Sequence, residues 1–456
     1  MLTDASTGRF SPGRPYLLSS LHKVSRNRIR SARSRKPSGA SGSVVSQPRP
    51  LSGRLADAHG VSRLAVTAVT EVTEIVENLH GNIVRLSPIV GRKEPKPLAG
   101  IPGLVYRSIF GVTRLVGFGL DTAFALGTRH AGKAPSSQRR DALLAVLNGV
   151  VGDHLAATDN PLAIAMGFRL DGRRLKLNRR ALGAAFAPAG RRLVVLLHGL
   201  CRDDRGWQRE GHDHGASLAR DLGYTPVYLH YNSGRHVSTN GREFSGLMDR
   251  LIREWPEPVE ELVVVAHSMG GLVARSACHY GELAGHEWVR RLKKMIFLGT
   301  PHHGSPFERA GHWTEILLGI SPYTAPLSTL GALRSAGITD LRFGSVLDED
   351  WMRRRGVQTH DPRRFVPLPP RVKCYAIAAS RRPDPGRRKK RLAGDGLVPV
   401  TSALGQHRED ALALPIPRAR KRVFYGLKHL DLLGSREVYE QIRAWMAEGG
   451  KSPATS

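Results

Sequence analysis

The sequence predicts an α/β fold over residues 159–448, in which helices cover both faces of a mostly parallel sheet. The first observation is an alternation of short apolar runs and helical segments, which starts near Asn160. Continuously apolar runs are typical of parallel strands buried on both faces. The runs that predict strands are Leu193–Leu197, Pro226–Tyr231, Leu262–Ala266, Met295–Leu298, Val372–Ala378 and Arg422–Tyr425. The segments that predict helices are Gly215–Leu222, Arg242–Trp255, Gly271–Tyr280 and Ser435–Met446.

A β-hairpin opens this series and is the second observation. Leu162–Leu170 and Arg173–Leu177 flank the dipeptide Asp171-Gly172. An Asp-Gly pair between two extended runs is typical of a type I′ turn, because both turn residues need positive φ. A hairpin followed by strand–helix units predicts a sheet that is mostly parallel.

The third observation is the stretch Glu261–Tyr280, which predicts a strand, a sharp turn at Ser268 and a helix from Gly270 or Gly271. A serine held on so tight a turn needs small residues around it, because bulk has no room there. The local sequence AHSMG meets this need, with Ala266 where the pattern usually has glycine. We expect Ser268 to be a nucleophile; the alternative is an ordinary small-residue junction between strand and helix.

A serine nucleophile needs a base to take its proton and an acid to orient that base. On this kind of sheet the chain order is serine, then acid, then histidine, each after a strand. Asp395 in AGDGLVPVTSA follows the run Val372–Ala378 and a basic loop, and His429 in GLKHLDLLG follows the last strand. The sequence therefore predicts Asp395 as the acid and His429 as the base, although a surface histidine at position 429 is the plainer alternative.

Two backbone N–H groups are candidates for an oxyanion hole, which stabilises the charge of a tetrahedral intermediate. The buried run Leu193–Leu197 leads into His198-Gly199, so the amide of Leu200 can point at the site. The amide of Met269 would supply the second donor. We expect His198 to shape this turn through local hydrogen bonds rather than to act as the base.

Together these motifs resemble the lipase/esterase branch of the α/β-hydrolases. The motifs are HGL at 198–200, AHSMGG at 266–271, GTPHHGS at 299–305, DGLVP at 395–399 and the terminal His429. The resemblance covers about Asn160–Glu448 and is nearest to bacterial triacylglycerol lipases and to the GPI inositol-deacylase-like and lecithin–cholesterol acyltransferase-like groups. It implies an α/β-hydrolase fold and a serine esterase or lipase of lipid metabolism that works through an acyl-enzyme. An acyltransferase with the same acyl-enzyme and a non-catalytic scaffold remain alternatives.

The resemblance also implies a lid, which we place at Pro306–Asp361; an ordinary packed helical insertion is the alternative. Some bacterial lipases of this type bind structural calcium through an Asp shortly after the histidine, a place that Asp431 would fill. The sequence offers no convincing second carboxylate upstream of Asp395, and a hard cation needs several oxygen ligands. We expect Asp431 to be a helix cap or a buried partner, and we expect no metal and no cofactor.

The N-terminal part has a different character. Residues 1–60 are rich in Ser, Arg, Gly and Pro and predict a disordered basic leader; residues 449–456 predict a disordered tail. Residues 61–158 predict a helical region, with apolar residues near helical spacing in 61–95 and a further helix at 141–155. We see no secretory signal, because no long apolar core follows a basic start.

Within this region the apolar stretch Ile101–Gly127 is long enough for a membrane span. Arg107, Arg114 and Asp121 recur every seven residues, so they share one helical stripe, and burying them in a bilayer is costly. The stretch therefore predicts an amphipathic hairpin partner or an interfacial helix. A helix packed on the catalytic domain is an equal alternative.

Charge and cysteine usage bear on partners and location. The chain of 456 residues has a formal net charge of +30, which favours anionic surfaces such as phospholipid, unless it reflects only arginine-rich solvated faces. The basic run Arg387–Arg391 lacks interleaved aromatic residues, so we expect no nucleic acid partner. The cysteines are an odd, sparse set of 3 and predict a reducing compartment. We expect a cytoplasmic protein that acts on a small-molecule or lipid ester and can make peripheral contact with an anionic membrane.

Overall fold

A computed structural model describes residues 57–66, 138–305, 335–352, 364–383 and 394–448. Several predictions fall outside these ranges: the leader up to residue 56, the stretch Ile101–Gly127, the tail 449–456, the basic run Arg387–Arg391, and the parts 306–334 and 353–361 of the proposed lid.

Eight strands form one sheet in the order β2-β1-β4-β3-β5-β6-β7-β8. The strand β1 pairs antiparallel with β2 and β4, and all other pairs are parallel. The strands are β1 Gly167–Leu170, β2 Arg173–Arg174, β3 Arg192–Leu197, β4 Thr225–His230, β5 Glu261–His267, β6 Leu292–Leu298, β7 Lys373–Ser380 and β8 Lys421–Tyr425. The predicted α/β fold with a mostly parallel sheet is confirmed, and each apolar run lies on a strand.

Ten α-helices accompany the sheet in the described residues, apart from the helical segment 57–66. They are α1 Gln138–Ala157, α2 Arg179–Ala185, α3 His214–Leu222, α4 Val237–Glu254, α5 Met269–Leu283, α6 Trp288–Arg291, α7 Ala336–Phe343, α8 Asp348–Met352, α9 Val400–Ala403 and α10 Arg436–Ala447. The four predicted helices correspond to α3, α4, α5 and α10, with ends that differ by a few residues.

Helices lie on both faces because side chains alternate along the buried strands. On β3, Val195 and Leu197 face a core that also contains residues of α1, α4 and α5. Val194 and Leu196 face a second core, to which α3 and α10 contribute. All four side chains are fully buried, and full burial of one Val or Leu stabilises the fold by about 1.5–3 kcal/mol.

The predicted hairpin is present with shorter strands than the sequence suggested. Leu170 pairs with Arg173, so Asp171 and Gly172 form the two-residue loop. Their φ angles are 50° and 74°, the positive values that a type I′ turn requires.

The helix predicted at 141–155 is α1, and the helical segment 57–66 packs against it. Arg140 forms a bidentate ion pair with Asp57 at 2.6 and 2.7 Å. The amide nitrogen of Asn160 donates to Gly60 O at 3.1 Å. Residues 57–60 are thus helical, although the sequence placed them in the disordered leader.

The described part of the insertion, residues 335–352, is fixed to the sheet domain by buried hydrogen bonds. The hydroxyl of Ser335 donates to Gly149 O in α1 at 2.7 Å. The buried carboxylate of Asp340 accepts the Val237 N–H at 2.9 Å and lies 3.0 Å from His236 Nδ1. For this part of the predicted lid, the contacts are those of a packed helical insertion.

Candidate active site

Ser268 lies between β5 and α5 in a strained backbone conformation, with φ 54° and ψ −124°. A non-glycine residue in a sparsely populated region costs about 1–3 kcal/mol and persists only where its surroundings hold it. Here the Ser268 N–H donates to Leu298 O, at the end of β6, at 2.8 Å. The turn thus presents Ser268 at the carboxyl edge of the sheet and at the N-terminus of α5.

Glycines beside Ser268 allow α5 to approach β3 and β6. A Cβ on Gly270 would lie 2.7 Å from the carbonyl oxygens of Leu197 and His198. A Cβ on Gly271 would lie 2.0 Å from Thr300 Oγ1. Real Cβ atoms do not come so close to other atoms, so these two positions require glycine, as the AHSMGG motif predicted. Ala266, in the place where the pattern usually has glycine, is fully buried without disturbing the turn.

Asp395 and His429 are joined by a short hydrogen bond, 2.7 Å between Asp395 Oδ2 and His429 Nδ1. Both residues are buried. The other carboxylate oxygen, Oδ1, accepts the N–H groups of Leu397 at 2.9 Å and Val398 at 2.8 Å. A carboxylate accepts at both oxygens, so His429 donates from Nδ1 and its Nε2 is left able to accept a proton.

His429 packs directly over the residue before the serine. The rings of His267 and His429 are 4.7 Å apart, and His267 Nε2 lies 3.2 Å from the His429 carbonyl oxygen. Burial holds the pKa of His267 well below its usual value, so this ring is neutral and adds no charge beside His429. A Cβ on Gly299, which has φ +58°, would lie 3.1 Å from His429 Cε1. His267 lies in the motif AHSMGG and Gly299 in GTPHHGS, but neither motif by itself indicates these contacts with His429.

The loop 198–201, here called the oxyanion loop, touches the serine. A Cβ on Gly199 would lie 3.0 Å from Ser268 Cβ. His198 Nδ1 is 2.9 Å from Gly199 O. In a trans peptide the N–H points opposite to the preceding carbonyl, so this contact also sets the direction of the Leu200 N–H. Met269, the other candidate donor, is the first residue of α5, where backbone N–H groups have no partner within the helix.

Tyr231 holds the His198 ring in one tautomer. Its backbone N–H donates to His198 Nε2 at 3.3 Å, its hydroxyl donates to His198 O at 2.8 Å, and the two rings stack at 4.3 Å. Nδ1 therefore carries the proton and donates to Gly199 O. Burial lowers the pKa of His198 to about 3, so the ring stays neutral. These contacts agree with the expected turn-shaping role of His198; Tyr231 was not foreseen.

Asp431 caps the short 3-10 helix His429–Leu433. Its Oδ2 accepts the Lys428 N–H at 2.8 Å, and its Oδ1 lies 3.5 Å from Arg209 Nη2. This is the capping role that the sequence suggested. Within the part of the chain that the structure describes, no three His, Cys, Asp or Glu side chains are grouped as a metal site, and no helix is long and apolar enough to cross a membrane.

A protein-family model matches part of the chain. Residues 231–366 match the family model of the PGAP1-like alpha/beta domain. This match, under a third of the chain, contains Ser268 but neither Asp395 nor His429. The chain matches no curated protein sequence.

Solved structures that are similar to this chain include those of three lipases or esterases. The mature form of the Bacillus licheniformis lipase BlEst2 is 18% identical, with 56% of this chain and 91% of that chain covered and a TM-score of 0.36. Lipase B of Aspergillus fumigatus is 15% identical, with coverages of 62% and 60% and a TM-score of 0.34. The Pyrococcus furiosus esterase Pf2001 is 13% identical, with coverages of 57% and 81% and a TM-score of 0.35. Residues 231–366 are thus similar to the PGAP1-like alpha/beta domain, and the mostly parallel sheet with helices on both faces is the α/β architecture that α/β-hydrolases have.

Proposed function

We propose that the chain is a serine hydrolase that cleaves carboxylic esters through an acyl-enzyme on Ser268. The observation that carries the proposal is the conjunction at one sheet edge of a strained serine and the buried Asp395–His429 pair, with its 2.7 Å hydrogen bond. Strain at one residue is retained where function needs it, and a buried carboxylate bonded to His Nδ1 is the arrangement that makes Nε2 a base.

In the proposed reaction, Ser268 Oγ attacks the ester carbonyl carbon while His429 Nε2 takes the hydroxyl proton. The carbonyl oxygen becomes an oxyanion, which the N–H groups of Leu200 and Met269 stabilise. Collapse of this intermediate breaks the bond to the alcohol, which leaves with the proton from His429. A water molecule then attacks the acyl-enzyme by the same steps and releases the acid. Asp395 accepts the hydrogen bond from His429 Nδ1 and so holds the imidazole in the required tautomer.

We propose apolar, lipid-like acyl esters as the substrate class. The support is compositional: the insertion between β6 and α7 carries Trp313, Ile316, Leu317, Leu318, Ile320, Tyr323, Leu327 and Leu330. Ester pockets for acyl chains are lined mainly by such side chains. The high basic charge further suggests reversible contact with anionic lipid surfaces.

The direct test is labelling with a fluorophosphonate, which reacts with activated serines. Wild type should be labelled and Ser268→Ala should not be. Ser276→Ala is the matched control, since Ser276 is equally buried and lies on the same helix; it should label like wild type. A folded wild-type protein that resists labelling would refute the proposal and favour the non-catalytic scaffold.

Two further measurements define the substrate. A series of p-nitrophenyl esters should show kcat/KM rising with acyl length if the pocket is apolar; a preference for acetate would contradict the lipid-like assignment. Added alcohol should leave the acid as the main product. If the acyl group passes chiefly to the alcohol, the chain is an acyltransferase that uses the same intermediate.

A further inference from the structure

The helix α1 precedes the proposed catalytic domain of residues 159–448, yet it touches the oxyanion loop. A Cβ on Gly149 would lie 2.1 Å from Cys201 Sγ and 3.0 Å from the Cys201 backbone nitrogen. Cys201 Sγ is also 3.8 Å from Val146 O in the same helix. The backbone of α1 and the end of the oxyanion loop are therefore packed with no room for a side chain between them.

Cys201 has an unfavourable backbone conformation, which the surrounding contacts must stabilise. Its φ is 57°, in the left-handed region that residues with a Cβ rarely adopt. Its N–H donates to Ser233 Oγ at 3.0 Å, and both residues are buried. A buried N–H without a partner is costly, so this hydrogen bond stabilises the conformation directly after Leu200, the proposed oxyanion donor.

The segment 232–234, which contains Ser233, is itself hydrogen-bonded to and closely packed against α1. The side-chain amide of Asn232 donates to Gly152 O at 2.8 Å. A Cβ on Gly234 would lie 2.0 Å from Asn148 O. Cys201 is thus held on one side by Ser233 and on the other by Gly149, and both contacts depend on the position of α1.

We infer that α1 is part of the catalytic apparatus, because it fixes the oxyanion loop, and that Ser233 is a positioning residue for the Leu200 N–H, in addition to His198. The inference rests on the proposed function and adds a role for a helix outside the catalytic domain. Misplacing one oxyanion donor lowers kcat more than KM, since that donor acts on the transition state.

The experiment compares Ser233→Ala with Ser245→Ala. Both serines are buried, and each hydroxyl accepts an N–H group at 3.0 Å, but Ser245 lies in α4 and accepts from the Trp288 indole, outside the proposed site. Activity is divided by the concentration of sites titrated with fluorophosphonate, so that only folded, reactive protein is counted. Ser233→Ala should lose about tenfold or more in kcat with KM changed less than about threefold. Ser245→Ala should keep kcat per titrated site.

A second readout separates positioning from a general loss of structure. The rate of fluorophosphonate inactivation, which passes through a charged tetrahedral state, should fall in parallel with kcat in Ser233→Ala. Inhibition by a non-cleavable ether analogue of the substrate should not change. Wild-type kcat in Ser233→Ala would overturn the inference while leaving the proposed function intact.

Gly149→Ala tests the same idea from the side of α1 and serves where Ser233→Ala fails to fold. Its new Cβ should displace Cys201 and lower kcat per titrated site in the same way. Gly183→Ala, where the nearest side-chain atom is 3.6 Å away, is the matched control. If Gly149→Ala retains wild-type kcat, α1 does not position the loop. A wild type without labelling would refute both this inference and the proposed function.

Discussion

Replacing Asp395 by Asn tests the acid of the proposed triad with little change of shape. Asp395 Oδ1 accepts two backbone N–H groups, from Leu397 and Val398, while Oδ2 faces His429 Nδ1. In the variant, the amide oxygen should stay with the two N–H donors, and the NH₂ group should face His429. The histidine would then accept at Nδ1 and carry its proton on Nε2, where it cannot deprotonate Ser268.

The size of the effect follows from these contacts. Turning the amide around would restore an acceptor to His429, but it would bring NH₂ against two buried N–H groups. Each donor left unsatisfied costs about 1–3 kcal/mol, so the productive arrangement lies about 2–6 kcal/mol higher. That energy corresponds to a loss in kcat of about thirtyfold to 25,000-fold. The loss of about 10⁴ seen for the same exchange in a serine protease triad lies within this range.

The assay is kcat for a p-nitrophenyl ester, with unfolding in urea as the check that Asp395→Asn remains folded. Asp431→Asn is the matched control, because Asp431 lies two residues from His429 but caps a helix and faces Arg209. It should keep kcat within about threefold of wild type, as expected for a carboxylate outside the reacting groups. Near-wild-type activity in Asp395→Asn would refute the reasoning and assign the acid role to another carboxylate, with Asp384 or Asp431 to be tested next.

Three other predictions concern stability. Gly246 lies inside α4, and an added Cβ there would have no atom within 4 Å. Gly246→Ala should therefore raise the free energy of unfolding by about 0.5–1 kcal/mol. A decrease in the urea midpoint would contradict this. Gly271→Ala should lower that free energy by about 1–3 kcal/mol, because its Cβ would meet Thr300; unchanged thermal unfolding would contradict the packing described. Burial lowers the pKa of His198 to about 3 and of His214 to about 4, so the unfolded chain binds more protons below about pH 6.5. The stability from each neutral ring is complete above that pH and is lost as pH falls, by about 2.5 kcal/mol per ring at pH 4.5. Equal free energies of unfolding in urea at pH 7 and pH 4.5 would disprove it.

The sequence predicted the sheet well because its strands are buried on both faces. Val263, Val264 and Val265 are flanked by the apolar residues Leu262 and Ala266, so the pattern favours a strand buried on both faces. The turn at Ser268 was also predictable from the sequence, because the glycines at 270 and 271 indicate that the helix packs too closely against neighbouring segments to leave room for a Cβ. The hairpin strands were overestimated, since hydrophobicity extends beyond the few residues that actually pair.

What the sequence could not predict depends on contacts between distant segments. Nothing local marks Ser233 as the acceptor for Cys201 N–H, 32 residues away, or His267 as the support for His429. The helix α1 was expected from its apolar residues, but its contact with the oxyanion loop requires glycine at 149 to meet a left-handed residue at 201. Such pairings become visible only when both partners are placed in space.

Each of the two edge strands of the described sheet carries positively charged side chains. The edge strand β2 consists of Arg173 and Arg174, and the opposite edge strand β8 begins with Lys421 and Arg422. An open edge can pair with the same edge of another molecule, and such growth leads to aggregation. A second copy that paired with either edge would add its own cations to those already there, and their repulsion opposes the pairing. Part of the large positive charge therefore acts between identical chains: it opposes extension of the sheet from one molecule to the next.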